Sequence, residues 1–162
     1  MKISLFRIDD RLIHGQIVTV WISHSEASMI VVADDATAKD EFMGSMLRMA
    51  TPASLKLKIL SLEDAAKFLK EDSSNEKILL LVKNPAAALY MLENGIEVEK
   101  INLGNLNHKQ GKQKVLPNFW TFQEDIDAVV KIYEKGCSIE VQVVPSEGAQ
   151  DALGCIKKAN LL

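Results

Sequence analysis

Ile78-Leu79-Leu80-Leu81-Val82 is apolar at every position and is bracketed by Lys77 and Lys83. A run this short cannot cross a membrane as a helix, which takes about 20 residues. It shows no alternation either, so as a strand it has no face for water. Strands of that kind belong to parallel sheets covered on both sides, and the usual cover is a layer of helices. One pentapeptide therefore asks for an α/β architecture with this strand covered on both faces.

The rest of the chain complies. Short apolar or β-branched runs recur at Ile3 to Ile8, Met29 to Ala33, Leu55 to Leu60, Lys77 to Val82, Lys100 to Gly104, near Trp120, and at Ser138 to Val144. Helical patterns fall between them. Thr37 before Ala38-Lys39-Asp40 and Ser61 before Leu62-Glu63-Asp64 read as capping boxes. Asn84-Pro85 reads as an N-cap followed by proline at the first helical position. Gly95 and Gly136 sit where helix C-caps belong. Phe42, Met46 and Met49 recur at helical spacing, as do Ile126, Val129, Val130 and Tyr133, and both stripes read as core. Strands alternating with helices predict a doubly wound, mostly parallel sheet with helices on both faces. With 162 residues, 48% of them apolar, the chain reads as one domain over residues 1–162, without internal repeat or linker.

Several function classes lose support at this stage. A net charge of −3 gives no electrostatic case for nucleic acid or an anionic membrane. The sequence holds no GxGxxG and no GxxxxGK[ST], so a nucleotide cofactor is not indicated. No His/Cys/carboxylate cluster has metal-ligand spacing, so neither metal nor other cofactor is expected. Met1-Lys2-Ile3-Ser4 lacks the apolar core and small-residue cleavage site of a signal peptide. Cys137 and Cys155 show no CxxC spacing and read as buried reduced thiols of a cytoplasmic protein.

Chemistry concentrates in Arg7-Ile8-Asp9-Asp10-Arg11-Leu12-Ile13-His14-Gly15-Gln16, which joins the first strand to a helical pattern starting near His14. Loops at the carboxyl ends of parallel strands are where α/β proteins place their ligands. A neutral imidazole is a good nucleophile near pH 7, and a helix start beside it presents free N–H groups to an oxyanion. Arg11 can grip phosphate oxygens with its planar fork. Arg7 closes the strand and could aim into the same pocket. Asp9 or Asp10 could hold the ring nitrogen that does not react. The segment has the equipment to carry a phosphoryl group on His14. His24 and His108 are isolated, and the polar stretch Asn105 to Lys114, with Lys109, Lys112 and Lys114, reads as a long loop, either functional or simply solvated.

With these residues in view, the chain resembles the IIB component of the mannose/fructose/sorbose family of the bacterial sugar phosphotransferase system. The resemblance runs from Arg7–Gln16 through Val31-Val32-Ala33-Asp34-Asp35, Ala38-Lys39-Asp40-Glu41-Phe42 and Met49-Ala50-Thr51-Pro52. It continues through Leu79-Leu80-Leu81-Val82-Lys83-Asn84, Ile101-Asn102-Leu103-Gly104-Asn105, Lys109 with Gly111-Lys112, and Val141-Gln142-Val143-Val144-Pro145. It implies a seven-stranded, mostly parallel sheet whose first strand lies between the fourth and fifth. It implies a cytoplasmic protein, peripheral to a membrane transporter and not inserted in the bilayer, that takes phosphate from a phosphohistidine on a IIA partner. The phosphate passes to a sugar substrate translocated by membrane IIC and IID components. His14 is implied as the phosphorylated residue, Arg11, Arg7 and Asp10 as the phosphate-binding set, and Lys83, Asn84, Gly104 and Asn105 as the rim. The turn Gly104-Asn105-Leu106-Asn107-His108 departs from the family's glycine-rich, histidine-containing turn, which leaves a partner contact through His108 without support. A regulatory phosphoprotein read by a protein partner would need the same loop, so that alternative stands beside the transport reading.

Overall fold

The structure is a computed structural model and describes residues 2–15 and 17–162. β1 (Lys2–Asp9) leads into a π-helical turn (Ile17–Trp21) and α1 (Ile22–Ser25). Then follow β2 (Met29–Ala33), α2 (Asp35–Lys39), α3 (Glu41–Ala50), β3 (Lys56–Leu60), α4 (Leu62–Glu71), β4 (Lys77–Val82), α5 (Pro85–Glu93) and β5 (Lys100–Asn105). A hairpin of β6 (Gln113–Leu116) and β7 (Phe119–Thr121) precedes α6 (Gln123–Glu134), β8 (Ser138–Val141), β9 (Gln150–Asp151) and α7 (Ala152–Lys158). Gln16, the last residue of the sequence's chemical segment, lies outside the described residues.

The main sheet has seven strands in the order β3-β2-β4-β1-β5-β8-β9. All pairings are parallel except β8 with the short β9. β4, the all-apolar run, is buried from Ile78 to Val82 and sits inside the sheet. β1 lies between β4 and β5, as the resemblance implies. The chain runs to one side after β1 and returns on the other at β5, so the carboxyl end of β1 is a topological switch point.

Alternation along the strands divides the core in two. Phe6, Ile8, Val31, Leu80 and Val82 join one cluster with residues of α4, α5, α6 and α7. Ile30, Val32, Leu79 and Leu81 join a second cluster with Leu12, Ile13, Ile17, Trp21 and Leu47. Arg7 and Asp9 alternate with Phe6 and Ile8 along β1, so they fall on the second face. Among the described residues no helix is long and apolar enough to cross a membrane.

Local signals behave mostly as read. Ser61 caps α4 by accepting from Asp64 N–H at 3.1 Å, and Asn84 caps α5 by accepting from Ala87 N–H at 2.8 Å. Gly95 and Gly136 have φ of +93° and +84° just beyond α5 and α6, the left-handed conformation that suits glycine. Four expectations need correction. Thr37 is not an N-cap: Asp34 and Asp40 cap α2 and α3, and Thr37 is buried inside α2 with its hydroxyl donating to Asp34 at 2.6 Å. The strand near Trp120 belongs to the separate β6–β7 hairpin, and the seventh strand of the main sheet is β9. Phe42, Met46 and Met49 are not core, because α3 turns Gly44 and Leu47 inward instead. Cys155 is only half-buried, whereas Cys137 is buried as expected.

Candidate functional site

The loop after β1 is built by one tight turn. Asp9 C=O accepts from Leu12 N–H at 3.0 Å, and Leu12 takes φ of +56°. A branched side chain in that conformation costs about 1–3 kcal/mol. Burying Leu12 beside Ile13 and Leu47 contributes about 1.5–3 kcal/mol, which is enough to hold the turn. The reversed chain brings His14 back over the end of β1. His14 C=O then accepts from Val18 N–H at 3.1 Å, so the helical segment starts at the histidine, as its sequence suggests.

Asp9 organises what lies beneath. It is fully buried. Its Oδ1 accepts from Arg11 backbone N–H at 3.0 Å and Arg11 Nε at 3.1 Å. Its Oδ2 accepts from Arg11 Nη2 at 3.2 Å and Arg7 Nη2 at 3.2 Å, and lies 3.0 Å from His14 Nε2. Because Asp9 is ionised it can only accept, so Nε2 carries a proton, and in the neutral ring the lone pair is on Nδ1. Burial works against the charge on Asp9, but hydrogen bonds from His14 and Arg11 and the charge of Arg7 outweigh it. Its carboxyl is held below the ordinary range.

Arg7 was expected to aim into the pocket; it lies underneath instead. The side chain is 0% exposed. Nη1 donates to Asn102 Oδ1 and to Gln142 C=O at 3.2 Å, and Nη2 donates to Val143 C=O at 3.3 Å. Trp21 stacks on the guanidinium with 5.0 Å between Cζ and the ring centroid, and its indole N–H donates to the same Val143 carbonyl at 2.7 Å. These contacts explain why the strand read as Ser138 to Val144 ends at Val141: the carbonyls of Gln142 and Val143 serve Arg7 and Trp21. A Cβ on Gly104 would overlap the guanidinium of Arg7, so that position needs glycine. Burial lowers the Arg7 guanidinium to about 10 against the pull of Asp9, far enough above neutrality to keep it charged.

The two neighbouring carboxylates part company. Asp9 turns down into the site; Asp10, expected in the phosphate-binding set, turns towards the loop after β5. Asp10 accepts from Asn105 Nδ2 at 3.1 Å, Asn107 N–H at 2.6 Å and Asn107 Nδ2 at 3.1 Å. It staples the first loop to the fifth strand. Strand alternation is the signal that separates them, since Arg7 and Asp9 share a face at i, i+2 while Asp10 lies beyond the strand.

At the mouth, Arg11 and His14 side chains are 37% and 18% exposed. One carboxylate serves two guanidiniums, which leaves one surplus positive charge under the imidazole. Of the expected rim, Lys83 pairs with Asp34 at 3.2 Å and Asn84 is occupied as a helix cap. Asp10, Lys83 and Asn84 line a cleft of about 190 Å³ with Lys109, Lys112, Phe122, Glu124 and Asp125. The stretch Asn105 to Lys114 is not a free loop. Leu106 exchanges backbone hydrogen bonds with Asn118 and Trp120, Lys112 Nζ donates to Asn107 C=O at 3.2 Å, and His108 packs edge-on against Trp120. A roomier cavity, about 500 Å³, opens at the opposite end near Leu92, Val98 and Cys137, and none of the loop residues reaches it.

Known proteins give this arrangement a context. The profile of the family described as "PTS system sorbose subfamily IIB component" matches residues 3–162. The chain is similar to the sorbose-specific EIIB component of Lacticaseibacillus casei, 32% identical over 157 residues that cover 96% of each protein. It is equally similar to N-acetylgalactosamine-specific phosphotransferase enzyme IIB component 2 of Escherichia coli (strain K12), 32% identical over 93% of this chain and 96% of that one. The crystal structure of the IIBSor domain of the sorbose permease from Klebsiella pneumoniae superposes with a TM-score of 0.93 at 31% identity, covering 98% of both chains.

Proposed function

The chain belongs to the sorbose-subfamily IIB components of the sugar phosphotransferase system, and from that premise we propose that His14 carries the phosphoryl group, on Nδ1. A IIB component is a protein-phosphohistidine–sugar phosphotransferase acting in sugar uptake, and its family implies IIA and IIC/IID partners in general. The observation that carries the assignment is the 3.0 Å contact between His14 Nε2 and the buried Asp9. It commits one ring nitrogen to the protein and turns the other, with its lone pair, to the mouth.

The first transfer then needs little from this chain beyond position and charge. Nδ1 forms its bond to phosphorus as the bond to the donor's imidazole breaks, and that ring keeps the electron pair. The phosphoryl oxygens meet Arg11, whose exposed fork is already oriented by Asp9. The surplus positive charge of the Arg7–Asp9–Arg11 group offsets the incoming dianion. In the second transfer a sugar hydroxyl oxygen attacks phosphorus, its proton is released to water, and Nδ1 leaves with its pair. Asp10 holds the loop in place by its three bonds to Asn105 and Asn107 and does not touch phosphate. Two relatives with the same 32% identity are named for different sugars, so we assign the choice of sugar to the membrane components. The protein works as one unit at the cytoplasmic face of that transporter.

The test is phosphorylation with phosphoenolpyruvate, the general components and the cognate IIA, followed by intact mass and peptide mapping. One acid-labile adduct on His14 is expected, absent in His14→Ala. An adduct that persists in that variant, or that maps to an aspartate, would overturn the assignment.

A further inference from the structure

α3 covers β2 and β3 with one row of side chains and shows another to solvent. The covering row is Met43 and Leu47, with Gly44 allowing Ile59 to approach. The outer row is Phe42, Met46 and Met49, which are 74%, 49% and 87% exposed. Their spacing of four and three residues makes one continuous stripe. No charged side chain interrupts α3 between Glu41 and Arg48. Among the described residues five large apolar side chains are exposed; the other two are Val20, in the turn after His14, and the terminal Leu162. Four of the five therefore lie on two segments that share a core cluster with Leu12 and Ile13, the residues leading into His14. The helices of the opposite face show no such side chain.

We propose that this stripe is where the chain docks on the membrane-embedded IIC/IID complex of its own transport system, an inference that rests on the phosphoryl-transfer reading above. Three aromatic or thioether side chains and a valine offer far less than the roughly 800 Å² per partner of a stable interface. Two stripes pairing in a dimer would bury too little. A partner that must also reach His14 covers the adjoining loop as well, and so completes an interface of ordinary size.

The two partners of His14 make different demands. The IIA donor arrives charged and leaves at every turnover. The cleft where Lys83, Lys109 and Lys112 meet Asp10, Glu124 and Asp125, bounded by the start of α6 in the other helical layer, is a charged surface and suits a visitor whose association is steered by charge. The acceptor stays in the membrane and is the lasting partner, and lasting interfaces are the more apolar ones. The methionines add side chains that conform to irregular surfaces.

The test compares wild type with Phe42→Gln/Met46→Gln/Met49→Gln. Unphosphorylated protein is floated with vesicles containing purified IIC/IID and with vesicles of the same lipid alone. Phosphorylation by phospho-IIA and solution mass are measured in parallel. The triple variant should lose affinity for IIC/IID vesicles by about tenfold or more, as hot-spot removal does. Its rate of phosphorylation should stay within about twofold of wild type, and lipid alone should retain neither protein. Unchanged affinity, or wild type failing to bind IIC/IID vesicles, would overturn the proposal. So would equal binding to lipid alone, a defect confined to the IIA step, or a wild-type dimer that the variant dissolves. A failure of the phosphoryl-transfer reading looks different: no adduct on His14 in wild type, whatever the vesicles show, because the flotation uses unphosphorylated protein.

Discussion

The end of β1 and the outer row of α3 depart from the ordinary distribution of polar and apolar residues in opposite directions. Arg7 and Asp9 are charged and fully buried; Phe42 and Met49 are apolar and largely exposed. Each departure is the informative kind, since a buried charge or an exposed apolar patch asks for a reason while a buried leucine does not. They differ in what holds them. The charges are tied to each other, to Asn102, and to carbonyls more than 130 residues away in sequence, so the fold has to be complete before they are comfortable. The stripe is tied to nothing in its own chain, and the fold is indifferent to it. On the proposals made above, the buried group serves function through structure, and the exposed one through a partner.

Substitution should separate the two regions by stability, and the largest effect is expected at Asp9. Asp9→Asn leaves the buried Arg7 without its counter-charge, a loss of about 3–5 kcal/mol, measurable by denaturant unfolding. Phosphorylation of His14 should fall as well, because the ring loses its anchor. Adding Arg7→Met to that variant removes the stranded charge and should recover stability without recovering transfer. If transfer returned together with stability, Asp9 would be a packing residue and not a positioning one.

The same carboxylate predicts a pH dependence. Its native value lies below its unfolded one, so its contribution to stability is complete above about pH 4 and is lost as pH falls through the lower native value. Acid unfolding of wild type should therefore be steeper below about pH 4 than that of Asp9→Asn. Parallel curves would mean that the site is not under this electrostatic control.

Arg11 comes next. Its fork is 37% exposed, and Asp9 keeps Arg7 and His14 when Arg11 is removed, so the stability loss should be clearly smaller than that of Asp9→Asn. Transfer should drop by about two orders of magnitude, as expected when a donor to developing charge is deleted. Arg11→Lys, which keeps the charge and loses the fork, should fall between Arg11→Ala and wild type. Lys109→Glu/Lys112→Glu should slow phosphorylation by IIA several-fold at low salt and little at high salt, with thermal stability nearly unchanged. Salt-independent kinetics in that variant would remove the cleft from the donor's path.

The smallest effect sharpens the contrast most. Polar replacement of Phe42, Met46 and Met49 should leave folding stability within about 0.5 kcal/mol per site. Ile126→Ala, in the α6 stripe of similar spacing, should cost about 2–5 kcal/mol. Both are read from thermal or denaturant melts, and similar losses for the two helices would mean that the α3 stripe supports the fold after all.

Those two helices also mark how far the sequence reaches. Local chemistry alone determined the elements: the apolar run of β4, the caps at Ser61 and Asn84, and the glycines after α5 and α6. It also singled out the loop from Arg7 to His14, where the family resemblance led us to propose phosphoryl chemistry. The elements follow from short-range rules of backbone geometry, hydrogen-bonding and periodicity, which act within a few residues. Spacing shows that a helix has a stripe; it does not show that the stripe faces the sheet, and on α3 the inward row is Met43 and Leu47 instead of Phe42, Met46 and Met49. The tertiary structure decided that direction. It also decided which of Asp9 and Asp10 meets the imidazole, because the choice depends on Asn105 and Asn107 drawing Asp10 away. It turned Arg7 from a pocket residue into a buried support, since its partners are backbone carbonyls beyond β8 that no pattern of side chains announces. The pairing of residues distant in the chain is set by packing and by the need of every buried charge for a partner, and that need is met only in the assembled fold.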